Sequence, residues 1–145
     1  MARLELDGFD GLNDALRRIS EIPWETTAEA LSRMAAVAEE KIRRSGSAMN
    51  VRDPDSAVHI LDKVKAKKPR KTDGGGYADI TFDGSRQRGK TRTRNAEIAF
   101  INEYGKRGQP ARPFIAAAMT QGEDAIAAPG EKILGDWIEK EFSRD

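Results

Sequence analysis

Between Ala96 and Met119 the chain reads AEIAFINEYGKRGQPARPFIAAAM, and no other stretch places so many backbone demands in so few residues. An apolar segment carrying Glu97 and Glu103 runs into Gly105, which admits the positive φ needed to turn sharply after Tyr104. Pro110 and Pro113 stiffen the following loop and push the residues before them to extended conformations. Pro113 stands where the start of a helix tolerates it, so Phe114 to Met119 is predicted helical, with Phe114 entering the core from the first turn. Residues 96–104 are open between helix and buried strand, because Ile98, Phe100 and Ile101 fit neither period in so short a run. Asn95 and Gly105 bracket the run as helix caps do, which favours helix. Glu103 and Arg112 flank the turn with opposite charge and are expected to pair across it.

Upstream, residues 2–8 alternate weakly and read as a short strand ending at Gly8. Asp10 is an expected N-cap for a short helix with Leu12, Leu16 and Ile19 on one stripe, stopped by Pro23. A longer helix follows over residues 24–45, entered through Pro23 and Trp24 and capped by Thr26 or Thr27. Its apolar face is Leu31, Met34, Ala35, Ala38 and Ile42, and it is expected to end at Ser45-Gly46. Residues 46–57 read as loop, and Ser56 to Lys65 as a short helix with Val58, Leu61 and Val64 on a face. The basic run 65–76 ends in three glycines and buries too little to order itself, so it is expected as a mobile arm or a long hairpin tip. Tyr77 to Phe82 alternates as a half-buried strand, Asp83-Gly84 is a turn, and residues 85–94 form an exposed strand able to pair with 77–82, with Gly89 at a tip or bulge. Gly122 and Pro129-Gly130 are expected to interrupt the C-terminal part before a last helix at about 131–142, with Ile133, Leu134, Trp137 and Ile138 on one face. The order is N-terminal helices, a small antiparallel sheet or hairpin with a long basic loop, and C-terminal helices: an α+β fold in a single domain over 1–145.

The charge is unevenly placed. The chain carries a net +1, yet Lys63, Lys65, Lys67, Lys68, Arg70, Lys71, Arg86, Arg88, Lys90, Arg92 and Arg94 face only Asp73, Asp79 and Asp83 in the same segment, a local +8 against −7 for the remainder. Such a segment meets either phosphate or an acidic protein surface, or is simply solvated. Few aromatic residues interleave it, so base stacking is not indicated. With 38% apolar and only 6% aromatic residues, the domain is expected to complete its burial against partner subunits, with Trp24 and Trp137 as core or interface residues.

Catalytic chemistry finds little support. With no cysteine, thiolate nucleophiles, thiolate metal sites and disulfides are excluded. His59 is the only histidine and has no flanking ligand spacing. Glu97 and Glu103 stand six apart, a spacing that does not share a helix face. Gly74-Gly75-Gly76 fits neither phosphate-loop pattern. No catalytic, cofactor or metal residues are therefore expected. No signal peptide and no membrane span are expected either, and synthesis in a reducing cytosol is.

Glu103-Tyr104-Gly105, a short polar loop, and then Ala111-Arg112-Pro113-Phe114 leading into an alanine-rich helix resemble the neck, or tail-completion, proteins of long-tailed bacteriophages, often called minor tail proteins. In that family an E-[FY]-G-T sequence is followed by A-R-P-F and a helix. Lys106 stands here where threonine is usual, and the motif spans about a sixth of the chain. The resemblance implies a non-enzymatic virion protein at the head–tail junction, forming a six- or twelve-fold homo-oligomeric ring around the DNA channel. It would touch head-completion, tail terminator or tail tube proteins, and make non-specific contact with DNA. A tail terminator is the alternative within that class. Outside it stands a free, basic, non-specific nucleic-acid-binding protein.

Overall fold

The computed structural model describes residues 9–51 and 59–144. The expected strand over 2–8 lies outside these, as do residues 52–58 of the loop and of the helix expected from Ser56. In order come α1 (Phe9–Ser20), α2 (Trp24–Ala48), a 3-10 turn (Ile60–Lys63), β1 (Val64–Ala66), β2 (Arg70–Thr72), β3 (Gly75–Tyr77), β4 (Ile80–Phe82), β5 (Ser85–Arg88), β6 (Thr91–Arg94), α3 (Asn95–Tyr104), α4 (Phe114–Gln121) and α5 (Glu123–Phe142). The class is α+β, with helices at both ends and short antiparallel strands between. Asp10 lies within α1 rather than capping it.

Helix α2 is the spine. Its N-cap is Pro23, whose carbonyl accepts hydrogen bonds from the Thr26 and Thr27 N–H groups at 3.1 and 3.2 Å. The two threonines therefore sit inside the first turn and do not cap it. The helix also continues past Ser45-Gly46 to Ala48. Gly46 is a packing residue: a Cβ there would overlap Leu61 Cδ2 and come within 3.1 Å of Phe114 Cδ2, so bare backbone lets both side chains close over the helix. The left-handed residue that ends α2 is Asn50, at φ 55°. Asn50 N–H reaches the Ser47 carbonyl (3.1 Å) and Val51 N–H the Gly46 carbonyl (2.9 Å), a Schellman motif that buries Val51.

The same correction applies at the C-terminus. Only Gly122 separates α4 from α5, and α5 runs unbroken through Pro129-Gly130. Pro129 gives up one backbone donor. Gly130 marks the crossing on α2, where a Cβ would overlap the Met34 side chain. Small residues on α2 (Ala30, Ala35, Ala38) permit this close approach, with Ile126 buried from α5. Leu31 and Met34 of the expected stripe are half-buried, as are Ile133, Leu134, Trp137 and Ile138.

The strands form three two-stranded ladders. The helix expected to reach Lys65 is instead one 3-10 turn that feeds β1. β1 pairs with β4, placing Val64 opposite Phe82, and β2 pairs with β3, placing Arg70 opposite Tyr77. These ladders are successive parts of one long hairpin. Residues 67–69 face 78–79 across a bulge, with Lys67 N–H still reaching the Asp79 carbonyl at 2.7 Å. The hairpin lies along α2, its tip is Asp73-Gly74, and the Trp24 ring packs onto Gly76. Residues 85–94 do not pair with 77–82, because β4 is taken by β1, which brings Val64 to bury beside Phe82. Residues 85–94 hold no apolar side chain, so they fold on themselves as β5–β6, with Gly89 at the tip. Residues 95–104 are helix.

One core joins these parts: Ile42, Val51, Ile60, Leu61, Val64, Phe82, Ile98, Ala99, Phe114 and Ala118. Phe114 is fully buried and meets Phe82 edge-on, ring centroids 6.0 Å apart at 75°. Its burial alone is worth about 2–3 kcal/mol.

Candidate nucleic-acid and subunit interface

The joint between α3 and α4 brings most of the motif together. The Glu103 side chain is buried and points at the start of α4, where one carboxylate oxygen accepts the Ile115 N–H (2.8 Å) and the other the Ala116 N–H (2.9 Å). Phe114 N–H bonds the Arg112 carbonyl (2.7 Å) and Ala117 N–H the carbonyl of Pro113, the N-cap (3.0 Å). All four N–H groups that open α4 are thus satisfied, two by a carboxylate from another helix that also suits the positive end of the helix dipole. The expected Glu103–Arg112 pair is not formed; among the described residues Glu103 serves the helix end instead, and Arg112 contributes its backbone, its N–H reaching the Asn102 carbonyl at 2.6 Å. Gly105 sits at φ 77°, and a Cβ there would lie 2.8 Å from Ala111 N and 2.9 Å from Gln109 O, so turn and close approach both require glycine. Tyr104 does not join the joint. It is 69% exposed and stacks at 4.7 Å on Phe100, itself 62% exposed, on the outer face of α3. Ala111 and Pro113 are exposed.

The eleven cations fall into two groups. Lys63 ends the 3-10 turn, and Lys65, Lys67, Lys68, Arg70 and Lys71 lie on the hairpin docked on α2, in a stretch that also holds Asp73, Asp79 and Asp83. Lys67 pairs with Asp83, whose carboxyl is held below its usual range first by the Lys67 hydrogen bond, with Thr81 adding a second. From below, Glu39 of α2 accepts the Ala66 N–H (2.9 Å) and a guanidinium hydrogen bond from Arg43 (2.9 Å). Burial pushes Glu39 up, but those two hydrogen bonds and the charges of Arg43 and Lys65 outweigh it, leaving a lowered pKa.

Arg86, Arg88, Lys90, Arg92 and Arg94 lie on β5–β6, where residues 84–94 contain no carboxylate. Register puts Arg86 and Arg88 on one face with Thr93 and Thr91, and Arg92 and Arg94 on the other with Gln87 and Ser85. Arg92 Nε bonds Ser85 Oγ at 2.6 Å. The base of this hairpin is fixed by Asn95, which is 2% exposed: its N–H bonds the Gly84 carbonyl (3.0 Å), its Nδ2 the Asp83 carbonyl (2.6 Å), and its Oδ1 accepts from Arg86 Nε (3.0 Å). Burial lowers the Arg86 pKa, and nearby Arg88 lowers it further. Asn95 was expected as the cap of α3; the N-cap is Arg94, whose N–H bonds the Glu97 carboxylate at 3.2 Å.

Glu97 and Glu103 do not meet, since Glu97 serves the start of α3 and Glu103 the first turn of α4. His59 Nδ1 accepts the Leu61 N–H at 3.1 Å and so caps the 3-10 turn. Among the described residues, no cluster of three His, Asp or Glu side chains is placed to hold a metal, and no helix is long and apolar enough to cross a membrane. The roles of Asn95 and Glu39 have no signal in residue spacing, because both act on backbone groups brought near by folding. No family model, curated protein sequence or solved structure matches the chain.

Proposed function

We propose that this chain is a structural subunit of a phage-type particle at the head–tail junction, assembling with copies of itself as a ring around the DNA channel. One observation carries this reading. The residues that resemble the neck-protein motif are spent on architecture: Glu103, Gly105 and Phe114 hold α3, the loop and α4 in a fixed joint, and the carboxylate is fully engaged by backbone. The exposed Phe100–Tyr104 pair and the docked hairpin supply surfaces for neighbouring subunits, and the β5–β6 hairpin supplies one for DNA. The deciding experiment is negative-stain microscopy of particles made without this protein. Separate full heads and finished tails support a joining role. Overlong tails would replace it with a tail terminator, and normal particles would reject both.

A free nucleic-acid-binding protein is favoured as a second reading by the five cations that β5–β6 gathers in a stretch without an acidic residue. Strong, salt-dependent DNA binding by a monomer whose deletion leaves particles intact would support it.

A further inference from the structure

The +8 segment is not uniform. The docked hairpin carries its cations beside three aspartates and Glu39, whereas β5–β6 concentrates five cations in residues 85–94 with no acidic residue. Neither face of β5–β6 can be buried in a protein core, since every side chain on it is polar or basic. A protein partner would need an apolar or aromatic centre for its contact, and residues 85–94 offer none. Single-stranded nucleic acid would call for aromatic stacking platforms, which are equally missing from it. What the hairpin offers is a narrow two-stranded ribbon with arginines on both faces, set on a rigid base by the buried Asn95.

We infer that β5–β6 is a finger that enters a groove of duplex DNA, with Arg88 turned toward one phosphate strand and Arg92 and Arg94 toward the other. A β-ribbon fits the major groove, and a ribbon entering tip first presents one face to each wall. The contact reads backbone, not sequence. Arg86 is tied by Asn95 and orients the ribbon, so Arg88, Lys90, Arg92 and Arg94 are the four exposed cations, Arg92 steadied by its Nε bond to Ser85 Oγ. The inference rests on the reading above for its choice of duplex DNA as the polyphosphate.

Fluorescence anisotropy with the full chain and a labelled random-sequence duplex tests it. Four phosphate contacts give a log–log salt slope of about −3.6, on the order of 10²-fold weaker binding at 200 mM than at 50 mM salt. The triple variant Arg88→Gln, Arg92→Gln, Arg94→Gln should flatten the slope to about −1. Its charge-preserving counterpart, Arg88→Lys, Arg92→Lys, Arg94→Lys, should keep the slope, which separates charge from folding. Lys65→Gln, Lys68→Gln, Lys71→Gln on the docked hairpin should leave affinity within about threefold. Equal losses in the two Gln triples, no binding by the unaltered chain, or tighter binding to single-stranded RNA would each overturn the finger. Absent DNA binding together with unjoined heads and tails in the deletion overturns the finger alone. Finger-dependent binding with normal particles in the deletion overturns the structural-subunit reading alone.

Discussion

Glu103 shows how a residue's importance is readable while its partner is not. An acid just before the Tyr104-Gly105 turn marks itself in the sequence, and Arg112 is the obvious mate by charge. The actual partners are two backbone N–H groups, which have no letter in a sequence and become donors in need only once α4 exists. The consequences differ measurably. Glu103→Gln keeps one acceptor but turns an amide NH2 toward an N–H, and should lower stability by about 1.5–3 kcal/mol. Arg112→Ala should change it by less than about 0.5 kcal/mol. Urea midpoints of the two variants check both. Gly46 teaches the same lesson in reverse. Glycine after a serine at the end of an apolar stripe reads as a C-cap, but only the folded chain brings Leu61 and Phe114 onto it and makes the missing Cβ the point.

At the scale of elements, the long helices were legible because their periodicity is local. Strand pairing was not. The Asp83-Gly84 turn invites 77–82 to pair with 85–94, yet the choice is made by Val64, which can share burial with Phe82 where nothing in residues 85–94 can. Glu39 joins β1 to α2, and its lowered pKa sets a pH window. A carboxylate with a folded pKa below its unfolded value adds stability that is present above the ordinary glutamate range and fades as pH falls through the folded pKa. The stability difference between the protein and Glu39→Gln should therefore be full at neutral pH and shrink below about pH 4.5, as urea titrations across that range would show. The β5–β6 hairpin makes a different prediction. Two strands alone are marginal in water, so its order depends on the Asn95 clasp. Asn95→Ala should cost about 2–3 kcal/mol and speed amide exchange across residues 85–94 more than across α2.

For the whole molecule, the uneven charge offers two unlike parts, as the head-to-tail contacts of the proposed ring require. The outward lysines of the docked hairpin are exposed, and the residues outside 63–94 carry a net −7. In the proposed ring, Lys68→Glu, Lys71→Glu should leave folding within about 0.5 kcal/mol while reducing the assembled species to monomer in native mass spectrometry. The fold class was legible from the order of elements. The division of the basic segment into a hairpin docked on α2 and a second hairpin based on α3 was not, because it depends on which strand lies against α2. The junction of β6 and α3 has a further effect. Arg94 ends one element and Asn95 begins the next, with no slack residue between them. In mechanical terms the chain is a lever pivoted at Asn95: a load at Lys90 reaches α3 as torque and then, through the two hydrogen bonds of Glu103, the first turn of α4, where a fully buried ring resists it.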